Sequence, residues 1–135
     1  MINAKDVVKI KMPYPSIRSD LAVTAHMYIC KSNNGKYELV KCQTYKPTIT
    51  YLRHYVDENA DITRNPFIKK TKIDCDKLFA LNDVVLDDTL KTSRRPDVCD
   101  DLFNSVISEL TADGYTVVSP DTNILIGLNP LIMRK

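Results

Sequence analysis

Apolar and basic positions alternate over residues 7–12, with Val8, Ile10 and Met12 on one side and Lys9 and Lys11 on the other. That two-residue period predicts a strand. Pro13 and Pro15 end it, because proline cannot donate to a ladder, and residues 16–23 read as an exposed loop. Residues 24–31 form the next strand. Ser32-Asn33-Asn34-Gly35 supplies a tight turn, since Asn and Gly tolerate positive φ, and residues 36–44 return antiparallel. Residues 48–56 are rich in β-branched and aromatic side chains and predict a further extended segment. Asp57, Glu58, Asn59, Asp61, Asn65 and Pro66 make 57–67 a loop. Residues 70–79 alternate as one half-buried strand, with Thr71, Ile73, Cys75 and Lys77 opposite Lys72, Asp74 and Asp76. Val84, Val85 and Leu86 form a short strand, and Asp87 to Arg95 is polar and loop-like.

The pattern then changes to a helical one over 97–112. Val98, Leu102, Phe103, Val106, Ile107 and Leu110 make one apolar stripe. Pro96 suits a helix start, Asp97, Asp100 and Asp101 oppose the positive end of the dipole, and Gly114 suits the stop. Residues 115–118 and 124–126 predict two short strands around a Pro120-Asp121 turn. The order predicts a mainly β, α+β domain. In it a small, strongly curved sheet or barrel carries one amphipathic helix in its C-terminal half and a short β tail.

Composition narrows this little. At 135 residues the chain fits a single domain, 1–135, and buries roughly 68–70% of its unfolded surface without metal or disulfide. The charged share of 27% and only 3 Gly exclude a disordered chain. A net charge of +2, from 19 basic and 17 acidic residues, is too small to attract nucleic acid through the global field. Such a role needs a local patch. Cys30, Cys42, Cys75 and Cys99 show no paired spacing. A zinc site drawn from Cys30, His26, Cys42 or His54 would depart from the short paired spacing such sites favour, so the thiols read as buried apolar groups. The first residues lack an apolar signal core, and no apolar run approaches the roughly 20 residues of a membrane span. Unpaired cysteines then predict a reducing, cytoplasmic compartment.

Several segments, in order, resemble the MazF/PemK ribonuclease toxins. Asp6-Val7-Val8-Lys9-Ile10 resembles the family's opening D-I/V-V-x-V strand, and Met12-Pro13-Tyr14-Pro15 its "PFP" segment. Met27-Tyr28-Ile29-Cys30 and Val40-Lys41-Cys42-Gln43-Thr44 stand where "ALVLS" and "APLTS" strands stand. Pro66-Phe67 through Thr71-Lys72-Ile73-Asp74-Cys75-Asp76-Lys77-Leu78-Phe79 resembles "PSVVRLDKLFTL", with Asp76-Lys77-Leu78-Phe79 the best match. Asp97 to Leu110 resembles the closing helix. The likeness covers residues 6–110 and implies a small SH3-like or CcdB-like barrel and a homodimer. Ala25-His26 stands where the family carries Arg-Pro.

The resemblance implies the toxin of a toxin–antitoxin pair, an endoribonuclease that cleaves single-stranded RNA by 2′-hydroxyl attack, without metal or other cofactor. Its partners would be RNA and an antitoxin protein, with no membrane. The chemistry needs a base, an acid and donors for the developing phosphate charge. His26 is the candidate base or acid because histidine titrates near neutrality. Thr44 matches a strand-end threonine that can hydrogen-bond phosphate, and Arg18 lies on the loop of the missing arginine. Each has a plainer alternative: a packed strand histidine, a strand-end β-branched residue, a solvated loop charge. Arg53 and His54, interleaved with Tyr51 and Tyr55, are candidates to stack and neutralise RNA. Arg64, Lys69, Lys70 and Lys72 cluster around Asn65-Pro66-Phe67 as candidate phosphate contacts or as a solvated face. Arg94-Arg95, just before the helix, sits where the dipole does not favour cations and hints at an outside partner. Two other readings stay open: a binding module for RNA or protein that has lost catalysis, and an accessory protein whose barrel scaffolds a protein contact. Residues 115–135, rich in Ile and Leu, either complete the barrel or cover a dimer face.

Overall fold

The computed structural model describes residues 1–13, 24–112 and 114–135. It is mainly β, in the α+β class. Strand β1 (Val7–Ile10) pairs antiparallel with β2 (His26–Ser32), and β2 with β3 (Tyr37–Thr44). Gly35, at φ 80°, turns the β2–β3 hairpin, as its Asn-Asn-Gly sequence predicts. β3 then serves two partners. Its C-terminal half pairs with β5 (Thr71–Asp74), which also takes β4 (Tyr55–Glu58) on its outer edge. Its N-terminal half pairs with β6 (Lys77–Leu81). A second ladder joins β7 (Val84–Leu86) to the C-terminal β9 (Ile132–Arg134). Helix α1 (Asp100–Ala112) precedes β8 (Thr116–Val118), which runs parallel to β6, and α2 (Thr122–Leu128) precedes β9.

Both faces of the curved sheet are covered, so its strands carry apolar residues on both sides. On one face Val7, Ile29, Val40, Cys42 and Ile73 meet Val98, Leu102, Val106 and Leu110 of the helical stripe. Burying each of these large side chains contributes about 1.5–3 kcal/mol. On the other face Val8, Ile10, Tyr28, Leu39 and Phe79 meet Leu86, Leu125 and Ile132. Tyr28 and Phe79 pack edge to face there, 5.7 Å between centroids. Residues 115–135 thus close the second face of the core.

Four expectations need correction. Residues 70–79 are two strands, broken at Cys75-Asp76. Asp76 turns out of the ladder because its carboxylate accepts the Arg53 and His54 N–H groups at 2.8 and 2.9 Å. Of 48–56 only Tyr55 and Val56 are in a strand, which runs on through Asp57 and Glu58 of the expected 57–67 loop because β5 pairs with them; the rest of 48–56 turns back on itself, burying Ile49 and Leu52. The run 124–126 is helical, capped by the Asp121 carboxylate on Ile124 N at 3.0 Å. A short apolar run does not distinguish helix from strand by itself, and this one buries Leu125 fully. Finally, α1 begins at Asp100, because Asp97 bridges to Asp6 and Val98 N donates to Lys5 O, holding 97–98 extended.

Candidate functional site

Lys11 follows the last residue of β1 and would be free to fray. Asn129, at the end of α2, holds it in place. Its Oδ1 accepts from Lys11 N at 2.9 Å, and its Nδ2 donates to Lys11 O and to Leu125 O at 2.8 Å each. The amide serves as a one-residue strand, and Asn129 is only 6% exposed. This clamp draws the end of β1 against the α2–β9 turn and leaves a cleft between them.

The cleft holds about 610 Å³ and adjoins a smaller one of about 200 Å³; both are lined by Lys9, Ala25, Met27 and Ile68. Its walls are aliphatic: Met27, Pro66, Ile68, Leu90, Leu128, Pro130 and Leu131. Lys9, Lys11, Lys91 and Arg94 line the larger part, and Lys69 the smaller. No carboxylate lines either part among the described residues, in a chain with 17 acidic residues. Lys91 lies 3.4 Å from Asp6. Lys9, Lys11, Lys69 and Arg94 have no ion pair among the described residues.

His26, Thr44 and Lys69 meet at the smaller end. The register separates the first two, however. Met27 pairs with Cys42 and Tyr28 with Lys41, so alternation sends Thr44 to the α1 face and His26 to the face of Tyr28 and Lys41. They share a rim rather than a surface. His26 Nδ1 lies 3.0 Å from Thr24 O; a carbonyl only accepts, so Nδ1 carries the proton and Nε2 keeps its lone pair. Burial holds the imidazole below its usual 6.5, Lys41 and Lys46 push the same way, and the Thr24 carbonyl opposes them. His26 is therefore neutral at pH 7. Arg18 lies outside the described residues.

The other candidates are dispersed. Arg53 and His54 line a separate polar cleft with Asp76, Lys77, Tyr115 and Thr116, and His54 faces Glu109 at 3.5 Å. Arg64 is tied to Glu58, Nε to Oε2 at 2.8 Å. Lys70 lies over the Tyr45 ring, 4.5 Å from its centroid. Lys72 is buried, donates to Ile49 O at 3.3 Å and lies 3.9 Å over the Tyr55 ring. Arg95 bonds Asp97, so of the arginine pair only Arg94 faces the cleft. Lys9, Lys11, Lys91 and Asn129 escaped sequence reasoning as site residues. The alternation of Lys9 and Lys11 with apolar neighbours marked an exposed side, and nothing in it pointed to Asn129.

Three of the four thiols are shielded. Cys30, Cys42 and Cys75 are buried, and burial pushes Cys30 and Cys75 up to about 12. Among the described residues no cluster of His, Cys, Asp and Glu could hold a metal ion. No helix there is long and apolar enough to cross a membrane. No protein-family model matches the chain and no curated protein matches its sequence, so the MazF/PemK likeness rests on the residues quoted for it.

Proposed function

We propose that the chain binds single-stranded RNA in this cleft, the cations taking phosphates and the aliphatic walls taking the sugar and base edges. The observation that carries the reading is the convergence of Lys9, Lys11, Lys69, Lys91 and Arg94 on one groove that no carboxylate lines among the described residues. Phosphate contacts dominate nucleic-acid affinity and need no large net charge, only a local track. The test is binding of a labelled single-stranded RNA over a range of salt. With three or more phosphates held, log K falls with log salt with a slope of about 2 or steeper. A flat dependence, or no binding, sinks the reading.

A second reading adds cleavage, in a MazF-like toxin. What favours it is His26, neutral at pH 7 with Nε2 unprotonated, at the end of the cleft with Thr44 and Lys69. Such an imidazole can take the proton of a 2′-hydroxyl, a group DNA lacks. Incubating pure protein with long RNA in EDTA, beside His26→Ala, tests it. Cleavage lost in the variant supports the enzyme; intact RNA with both proteins leaves a binding module without catalysis.

A further inference from the structure

Past the Thr44–Thr71 pair the β3–β5 ladder runs on by one step, Tyr45 N donating to Lys70 O at 2.8 Å. Alternation turns Tyr45 and Lys70 away from the α1 face, onto the face of Gln43 and Lys72. Three tyrosines stand there, Tyr45 38%, Tyr51 63% and Tyr55 39% exposed. Each is held. Lys72 Nζ, buried and bonded to Ile49 O, sits 3.9 Å from the Tyr55 centroid and 5.5 Å from that of Tyr45. Tyr51 Oη donates to Gln43 Oε1 at 3.2 Å. Lys70, exposed, lies over Tyr45. One exposed carboxylate, Asp57, is paired with Lys72 across the strands.

We propose that Tyr45, Tyr51 and Tyr55 are a stacking platform for bases of the RNA strand that leaves the cleft over the Thr44–Lys69 rim. The inference rests on the RNA reading of the cleft. Held rings lose little freedom when a base stacks on them, and every base offers a π-face, so the platform needs no particular sequence. Lys70 leaves the Tyr45 face for a phosphate as the base arrives, while Lys72 stays buried and keeps the rings in place. The cleft supplies charge without aromatic faces; the platform supplies the faces.

The chain has 7 tyrosines and no tryptophan, so its intrinsic emission reports the tyrosines directly. The full chain is titrated with an RNA of about 12 nucleotides, the matching DNA, and inorganic polyphosphate of equal charge. RNA quenches the emission, whereas polyphosphate binds without quenching. Tyr45→Leu/Tyr51→Leu loses about tenfold or more in RNA affinity and keeps its polyphosphate affinity, which also shows that it is folded. Tyr45→Phe/Tyr51→Phe restores RNA binding. Equal quenching by DNA supports a platform blind to the sugar. If the Leu variant binds RNA as the parent does while Lys9→Gln/Lys11→Gln weakens it, the platform falls and the cleft reading stands. If neither RNA nor polyphosphate binds, both fall.

Discussion

The cleft and the α1 side of the molecule carry comparable numbers of cations and treat them oppositely. Around the start of α1 the basic groups are spoken for: Lys5 meets Asp100 at 2.8 Å, Arg64 meets Glu58 at 2.8 Å and Arg95 meets Asp97 at 2.9 Å. In the cleft Lys9, Lys11 and Arg94 converge without partners among the described residues. Like charges placed together weaken the fold slightly and gain nothing until an anion arrives. Pairing, rather than the count of basic residues, therefore separates a surface that serves the fold from one that serves a ligand. The cluster Arg64-Lys69-Lys70-Lys72 makes the same point within one segment: Arg64 and Lys72 are structural, and Lys69 lines the cleft.

The comparison breaks most visibly at Asn129, which builds the cleft. Asn129→Ala removes three side-chain hydrogen bonds and strands Lys11 N and O, lowering stability by about 2–4 kcal/mol in urea unfolding. An unchanged unfolding midpoint would show that the clamp is ornamental. Next in size, Lys9→Gln/Lys11→Gln/Arg94→Gln should cost about a hundredfold in RNA affinity at 0.1 M salt and flatten the salt slope by about 2. Neutralising Lys5, Arg64 and Arg95 should change neither; equal losses from the two sets would erase the distinction. Lys72→Met, which keeps the stem and removes the charge between two rings, should cost about 1–2 kcal/mol of stability. If RNA binding falls more than stability does, Lys72 belongs to the ligand surface instead.

The smallest effect is that of pH. His26 has a folded pKa below the 6.5 of an exposed histidine, so the unfolded chain takes up the proton first as pH falls. The stability that neutral His26 contributes is present above about pH 6.5 and is lost as pH drops through the folded value. Comparing wild type with His26→Gln between pH 7.5 and 5, by thermal melts, should show the wild type losing more. A parallel pH dependence would mean that His26 is not desolvated.

Much of the fold was legible along the chain. Asn33-Asn34-Gly35 between two β-rich runs determined the hairpin, and Leu102, Val106 and Leu110 determined the buried stripe of α1. These signals are local: a turn residue's allowed φ, or a period of burial. The errors fell where a distant partner decided. Asp76 broke a strand because the Arg53 and His54 N–H groups needed an acceptor, and the expected strand 124–126 lies within the helix Thr122–Leu128 because the sheet's second face needed Leu125. For the site, the alternation of Lys9 and Lys11 marked an exposed edge, and His26, Thr44 and Lys69 were singled out by resemblance and charge.

By itself, then, the sequence determined the β-rich class, the turns and the amphipathic helix, because each depends on neighbours a few residues away. Only the tertiary structure decided which cations are paired and which face a groove. Lys11 is placed by an asparagine 118 residues downstream, and contact at that separation follows from the packing of the whole core, to which no local pattern refers.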